Sequence, residues 1–247
     1  MTNLHFTVAE DKYIKCDACM KDCPRGGSVK KTERISPMVL SNSNVFPYSA
    51  DLTAGSLKVA ESRIVADLLL RGIDEKIWKQ RIQIENVLQT RTPATARRLG
   101  RLIRNRLETM SLGLWKLVRD GHLVVATHAC LAATVKQSRL VADFFDFVLR
   151  EQYQRFAVVL DRHLWNDFIE NAYIRFQIEP TERPVWTETT VRRLRSSLFQ
   201  ILEQAGYVEN TRTLRLRNVF IADEVVRCLQ NNDESTVLRC IQLTPDH

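Results

Sequence analysis

Apolar positions recur along most of this chain at intervals of three and four residues, the spacing that gathers them on one face of an α-helix. Leu57, Ala60, Ile64 and Leu68 predict a helix over Ser56–Arg71 that Gly72 ends. Asp74 suits the N-cap of a second helix, Asp74–Leu88, whose apolar positions are Ile77, Trp78, Ile82 and Ile84. Thr92-Pro93 opens a third, running to Met110, with threonine as cap and proline at the first helical position. Further helices follow over Leu112–Asp120, Leu123–Gln137, Arg139–Phe156 and His163–Phe176. Pro180 and Pro184 break the pattern before a capped helix over Thr187–Ala205, ended by Gly206. The period then falls to two: Tyr207-Val208 and Thr213–Arg217 alternate around the polar Glu209–Arg212, predicting a short β-hairpin. A last helix covers Ala222–Gln230.

These elements predict a mainly α fold, a helical bundle with helix-turn-helix and winged-helix-like units and a small hairpin wing. The scarcity of turn residues agrees, because 8 glycines and 7 prolines in 247 residues are too few for a many-stranded sandwich or barrel. The domain reading is a cysteine-containing arm over 1–45, a helix-turn-helix-like domain over 46–120, a connecting core over 121–180 and a winged-helix-like domain over 181–247. The longest apolar stretch, Leu123–Val135, contains Thr127, His128 and Thr134 and falls short of the roughly 20 residues a spanning helix needs. Without an evident span or secretory signal, the expected location is the cytoplasm, with reduced cysteines and no membrane contact.

The net charge of +7 favours a polyanionic partner, and the helix from Thr92 shows where that charge is concentrated. Ala96, Leu99, Leu102, Ile103, Leu107 and Met110 cluster on one side, while Arg97, Arg98, Arg101 and Arg104 project from the other. Six arginines lie between Arg91 and Arg106, with no acidic residue before Glu108. A guanidinium donates paired hydrogen bonds that match phosphates and guanine edges, and a helix fits the DNA major groove. The helix–link–helix order makes the Thr92 helix the groove reader. A second helix repeats the pattern: Val191, Leu194, Leu198, Ile201 and Leu202 face inward, and Arg192, Arg193, Ser196 and Gln200 face outward. The hairpin beyond it adds Arg212, Arg215 and Arg217, as a wing would. A merely solvated charged face is the bland alternative for the first surface, and a winged helix used only for protein contacts is that for the second.

Cys16, Cys19 and Cys23, followed by Pro24, have a spacing that suggests metal ligation, but a fourth ligand is missing nearby, so free thiols are the preferred reading and no cofactor is expected. Cys130, Cys228 and Cys240 lie in apolar settings and read as core residues. No phosphate-cradling loop, paired-histidine helix or glycine-flanked serine is present, so the chain is expected not to be an enzyme. Asp143 and Asp146 are expected to pair with Arg139 and Arg150. Glu61-Ser62-Arg63 is expected to form a buried ion pair that holds the first helix.

The chain resembles the BrxA family of bacterial BREX phage-exclusion systems. The resemblance lies in Tyr48-Ser49-Ala50-Asp51-Leu52 through Gly55, Glu61-Ser62-Arg63, Leu68-Leu69-Leu70-Arg71-Gly72, Lys136-Gln137-Ser138-Arg139-Leu140 with Asp143-Phe144, and Leu202 to Tyr207, and it spans roughly 46 to 240. It implies a helical, winged-helix-containing DNA-binding accessory that works beside the methyltransferase, ATPase and phosphatase-like components, and it supplies no catalytic residues; double-stranded DNA is the form that the arginine-bearing helices favour. The family has also been described as inner-membrane and as similar to the NusB antitermination factor, which leaves RNA binding as an alternative. A structural adaptor for the other defence components is a third reading, and self-association is left open.

Overall fold

The computed structural model describes residues 47–243, apart from 51, 53–54, 179–180 and 182–185; the cysteines of the N-terminal arm lie outside the described residues. The helix the sequence makes most apolar lies at the centre. This is α5 (Leu123–Gln137), buried without interruption from Val125 to Val135. A helix that is apolar all round belongs inside a core. Its two threonines are accommodated by back-bonding within the helix: Thr127 donates to the Leu123 carbonyl at 2.7 Å and Thr134 to that of Cys130 at 2.8 Å. Around α5 pack α1 (Val59–Leu70), α3 (Pro93–Glu108), α4 (Leu112–Asp120), α6 (Arg139–Asp143), α10 (Asp223–Gln230) and α11 (Ser235–Ile241). The described residues include no helix long and apolar enough to cross a membrane.

Predicted caps are in place where backbone donors need them. Asp74 accepts from the Ile77 amide at 2.7 Å, Thr92 from Thr95 and Thr187 from Thr190, each at 3.2 Å. They open α2 (Glu75–Lys79), α3 and α9 (Glu188–Gln204). The helix α2 continues as a π-helical turn over Gln80–Ile84 and stops there, four residues short of the expected Leu88. Asn86, at φ 49°, ends it: its side chain accepts from the Thr90 amide and hydroxyl and donates to the Thr90 carbonyl at 2.8 Å. The link to α3 therefore occupies residues 85–92, longer than the usual turn of about 3–4 residues between the two helices of a helix-turn-helix.

A second π-helical turn, Phe144–Leu149, joins α6 to α7 (Arg150–Gln154) and faces α8 (His163–Arg175). Between them sits an aromatic cluster in which Phe144 and Phe168 meet edge-on at 5.3 Å and Tyr48 stacks on Phe168 at 5.6 Å. The expected acid–arginine pairs form here, Arg139 with Asp143 at 3.5 Å and Arg150 with Asp146 at 3.1 Å. Asp143 also accepts from the Tyr48 hydroxyl at 3.0 Å, and burial together with this carboxylate holds the phenol above its ordinary range. Glu61 and Arg63 do not pair. Glu61 lies against Lys58, and the Arg63 guanidinium donates to the carbonyls of Arg119 and Gly121 at 2.7 and 2.6 Å, satisfying the C-terminal end of α4.

No regular strand occurs among the described residues, and the predicted hairpin is the principal correction to the fold. The segment after α9 makes two isolated antiparallel bridges, Val208 with Leu216 and Val159 with Arg215. The Asn210 side chain takes the amides of Arg212 and Thr213, the Asn210 carbonyl takes that of Leu214, and Leu214 turns to φ 50°. Those turn donors are lost to any ladder, and pairing within the segment is confined to the bonds from the Glu209 amide to Arg215 and from the Arg217 amide to Tyr207, too few for a regular strand. The segment is also not a free wing. Arg162 donates to the carbonyls of Thr211 and Arg212 at 2.7 and 3.0 Å, and the Tyr153 hydroxyl donates to the Arg217 carbonyl.

Candidate nucleic-acid interface

Because α3 carries an apolar stripe, it docks by one side and presents the other. Ala96, Leu99, Leu102, Ile103 and Leu107 are buried, against α1, α5 and the π-helical turn after α2. At Gly100 the neighbouring helix comes close: a Cβ there would lie 3.2 Å from Ile82 Cγ2 and 3.5 Å from Trp78 Cζ2. On the outer side Arg97, Arg98 and Arg101 are exposed, as is Arg91 in the link. Among the described residues none of these four forms an ion pair.

Arg104 departs from the expected free face. Its guanidinium bridges Glu108 at 2.7 Å and Glu75 at 3.0 Å and lies 4.9 Å over the Trp78 ring. The Glu108 hydrogen bond, with that of Glu75, holds its pKa above the ordinary arginine value. Arg104 is thus neutralised and serves to fasten α2 to α3. Arg106 points inward at 3% exposure and donates to the carbonyls of Ser56 at 2.8 Å and Gly55 at 3.3 Å. Its spacing from Leu99, Leu102 and Ile103 already placed it on the apolar side. Asn105 is exposed four positions after Arg101 and extends the outer stripe; that same spacing was the available signal for it.

The second surface is more mixed. Arg193, Ser196, Arg212 and Arg215 are exposed, and the three arginines form no ion pair among the described residues. Arg192 is paired with Glu188 at 2.7 Å, and Arg217 with Glu209 at 2.8 Å. The Glu188 partner was legible at i−4 in sequence; the Glu209 partner depends on the turn geometry. Cys130 and Cys240 are buried as expected and Cys228 is half-buried. Burial pushes the Cys130 thiol up to about 11. Among the described residues no group of three or more His, Cys, Asp or Glu side chains could hold a metal.

The BrxA family model matches residues 46–233. This chain belongs to the BrxA family. It is 44% identical over 197 residues to the BREX protein BrxA of Paramagnetospirillum magneticum, covering 80% of this chain and 97% of that protein. It is 29% identical over 198 residues to the BREX protein BrxA of Escherichia coli O9:H4, covering 79% and 90%. The crystal structure of an uncharacterized protein from Magnetospirillum magneticum superposes with a TM-score of 0.73 at 42% identity, covering 80% of this chain and all of that one. Both candidate surfaces fall within the BrxA match. Two of the residue blocks that carried the resemblance meet in space, since Tyr48 from one donates to Asp143 from another.

Proposed function

We propose that this protein is a non-enzymatic accessory of a BREX-type bacteriophage defence system, and that it binds double-stranded DNA through the outer face of α3. The BREX assignment is carried over from the names of its relatives. The observation that carries the DNA reading is the set Arg91, Arg97, Arg98 and Arg101: four exposed guanidiniums with no ion pair among the described residues. A guanidinium already matched to a carboxylate gains little from a phosphate, whereas an unmatched one exchanges water and counterions for a bidentate contact. The apolar side of α3 anchors the helix, so these groups are held outward with little backbone freedom to lose. Asn105 is of the type that pairs with an adenine edge. The second surface, with Arg193, Arg212 and Arg215, adds backbone contacts of lower weight.

The test is a mobility-shift competition of labelled duplex DNA against RNA at fixed salt, with the wild type and an Arg97→Ala/Arg101→Ala variant. The wild type retains the duplex in preference to RNA, and the double variant loses about tenfold or more in affinity. Preference for RNA would favour the antitermination-factor reading. Absence of both complexes, with recovery of other BREX components in a pull-down, would favour the adaptor reading.

A further inference from the structure

A groove on the body of the protein is lined by the N-terminal ends of two long helices. Val59, Ala60 and Glu61 begin α1, Leu123 and Val124 begin α5, and Asn218 to Phe220 with the end of α9 close the sides around a cavity of about 760 Å³. This lies within the range of roughly 300–1,000 Å³ typical of small-molecule sites. Neither helix has a side-chain cap. The amides of residues 59–61 and 123–125 meet no acceptor among the described residues. Uncapped N-terminal amides, with the helix dipole behind them, favour an anion.

His128 supplies the independent observation. It lines the groove at 5% exposure, and its Nδ1 accepts from the Ala222 amide at 3.1 Å. A ring nitrogen that accepts from an amide carries no proton, so in the neutral ring the proton sits on Nε2. That N–H finds no acceptor among the described residues and, unlike the indole N–H of Trp165, is not sealed from solvent. Desolvation lowers the pKa of His128, which keeps the ring neutral. The charged side chains of the lining are already matched, Lys58 with Glu61 and Arg217 with Glu209, so a ligand charge would be met by the backbone amides and the His128 ring alone. Leu123, Val124 and Phe220 nevertheless stand 70%, 60% and 66% exposed at the rim. A phosphodiester backbone has no use for such a rim, whereas an apolar body does.

We propose that this groove binds a small-molecule carboxylate with an apolar body, its oxygens accepting from the uncapped amides and the His128 Nε2–H while its hydrocarbon covers Leu123, Val124 and Phe220. Calorimetric titration of the full chain with sodium octanoate and with octan-1-ol tests this. Octanoate binds saturably, and octanol at least about tenfold more weakly, because only the former makes charge-assisted hydrogen bonds. Val124→Glu places a carboxylate at the α5 N-terminus and abolishes octanoate binding without unfolding the protein, since Val124 is exposed. Phe220→Ser weakens both ligands. The Arg97→Ala/Arg101→Ala variant keeps octanoate binding, so loss of the DNA reading would leave this site intact. In ¹⁵N spectra the His128 Nε2 proton shifts on octanoate addition. Equal binding of the two ligands, no saturable binding, an unaffected Val124→Glu variant, or binding confined to an apolar peptide with an acidic C-terminus would each overturn the proposal.

Discussion

Substituting Gly100 sets two effects of known sign against each other at the contact that mounts α3. Gly100→Ala gains about 1 kcal/mol because alanine restricts the unfolded chain and suits a helix interior. The added Cβ would lie 3.2 Å from Ile82 Cγ2, inside the optimum of about 3.5–4.0 Å for carbon pairs. Ile82 is buried at 1% exposure, so it can yield only by moving the π-helical turn that carries it. A shift of a few tenths of an ångström costs an amount comparable to the gain, and the alanine variant is expected to stay within about 1 kcal/mol of the wild type. Gly100→Val adds two more carbons in the same direction and a β-branched penalty, for a loss of about 2–3 kcal/mol. For a domain of this size that corresponds to a melting point lower by about 5–10 °C. Circular dichroism at 222 nm through a thermal ramp measures both. A valine variant that melts with the alanine variant would refute the close approach of the two helices, and with it the mounting of the arginine face.

Arg106→Ala leaves the carbonyls of Gly55 and Ser56 without their charged donor; a loss of about 2–4 kcal/mol is expected by denaturant titration, and a loss below about 1 would contradict the buried role. His128 has its pKa lowered by burial. At high pH it is neutral both folded and unfolded and contributes no slope. As pH falls below about 6.5 the unfolded chain takes up a proton that the folded protein resists, so stability declines toward acid. The wild type should therefore lose more stability than His128→Gln between pH 7 and pH 5.5, and parallel curves would refute the assignment.

The helical framework was legible because amphipathic periodicity, caps and terminating glycines agree with one another from Val59 to Gln204, and α5 announced its central place by being apolar on every side. Ser235–Ile241 escaped notice because so short a helix shows only Val237, Cys240 and Ile241 as its buried side. The hairpin expectation fails because alternation in Thr213–Arg217 describes which side chains face inward, not whether backbone donors are free, and Asn210 takes the amides of Arg212 and Thr213. Within the site, Arg97, Arg98 and Arg101 lie on the outer face that the 100° rotation gave them. Arg104 lies there too, but Glu75 reaches it from a different helix, and a partner 29 positions away leaves no local trace. Its other partner, Glu108 at i+4, and the Glu188 partner of Arg192 are readable in the sequence, and counting them reduces the free charge of each face.

The salt dependence of duplex binding counts the unpaired guanidiniums of α3 that meet phosphate. With Arg91, Arg97, Arg98 and Arg101 each displacing counterions at about 0.9 per phosphate, they contribute about −3.6 to the slope of log affinity against log salt, contacts from the second surface steepen it further, and Arg97→Ala/Arg101→Ala makes it shallower by about 1.8. A flat wild-type response, or a slope the double variant leaves unchanged, would show that these arginines do not meet a duplex.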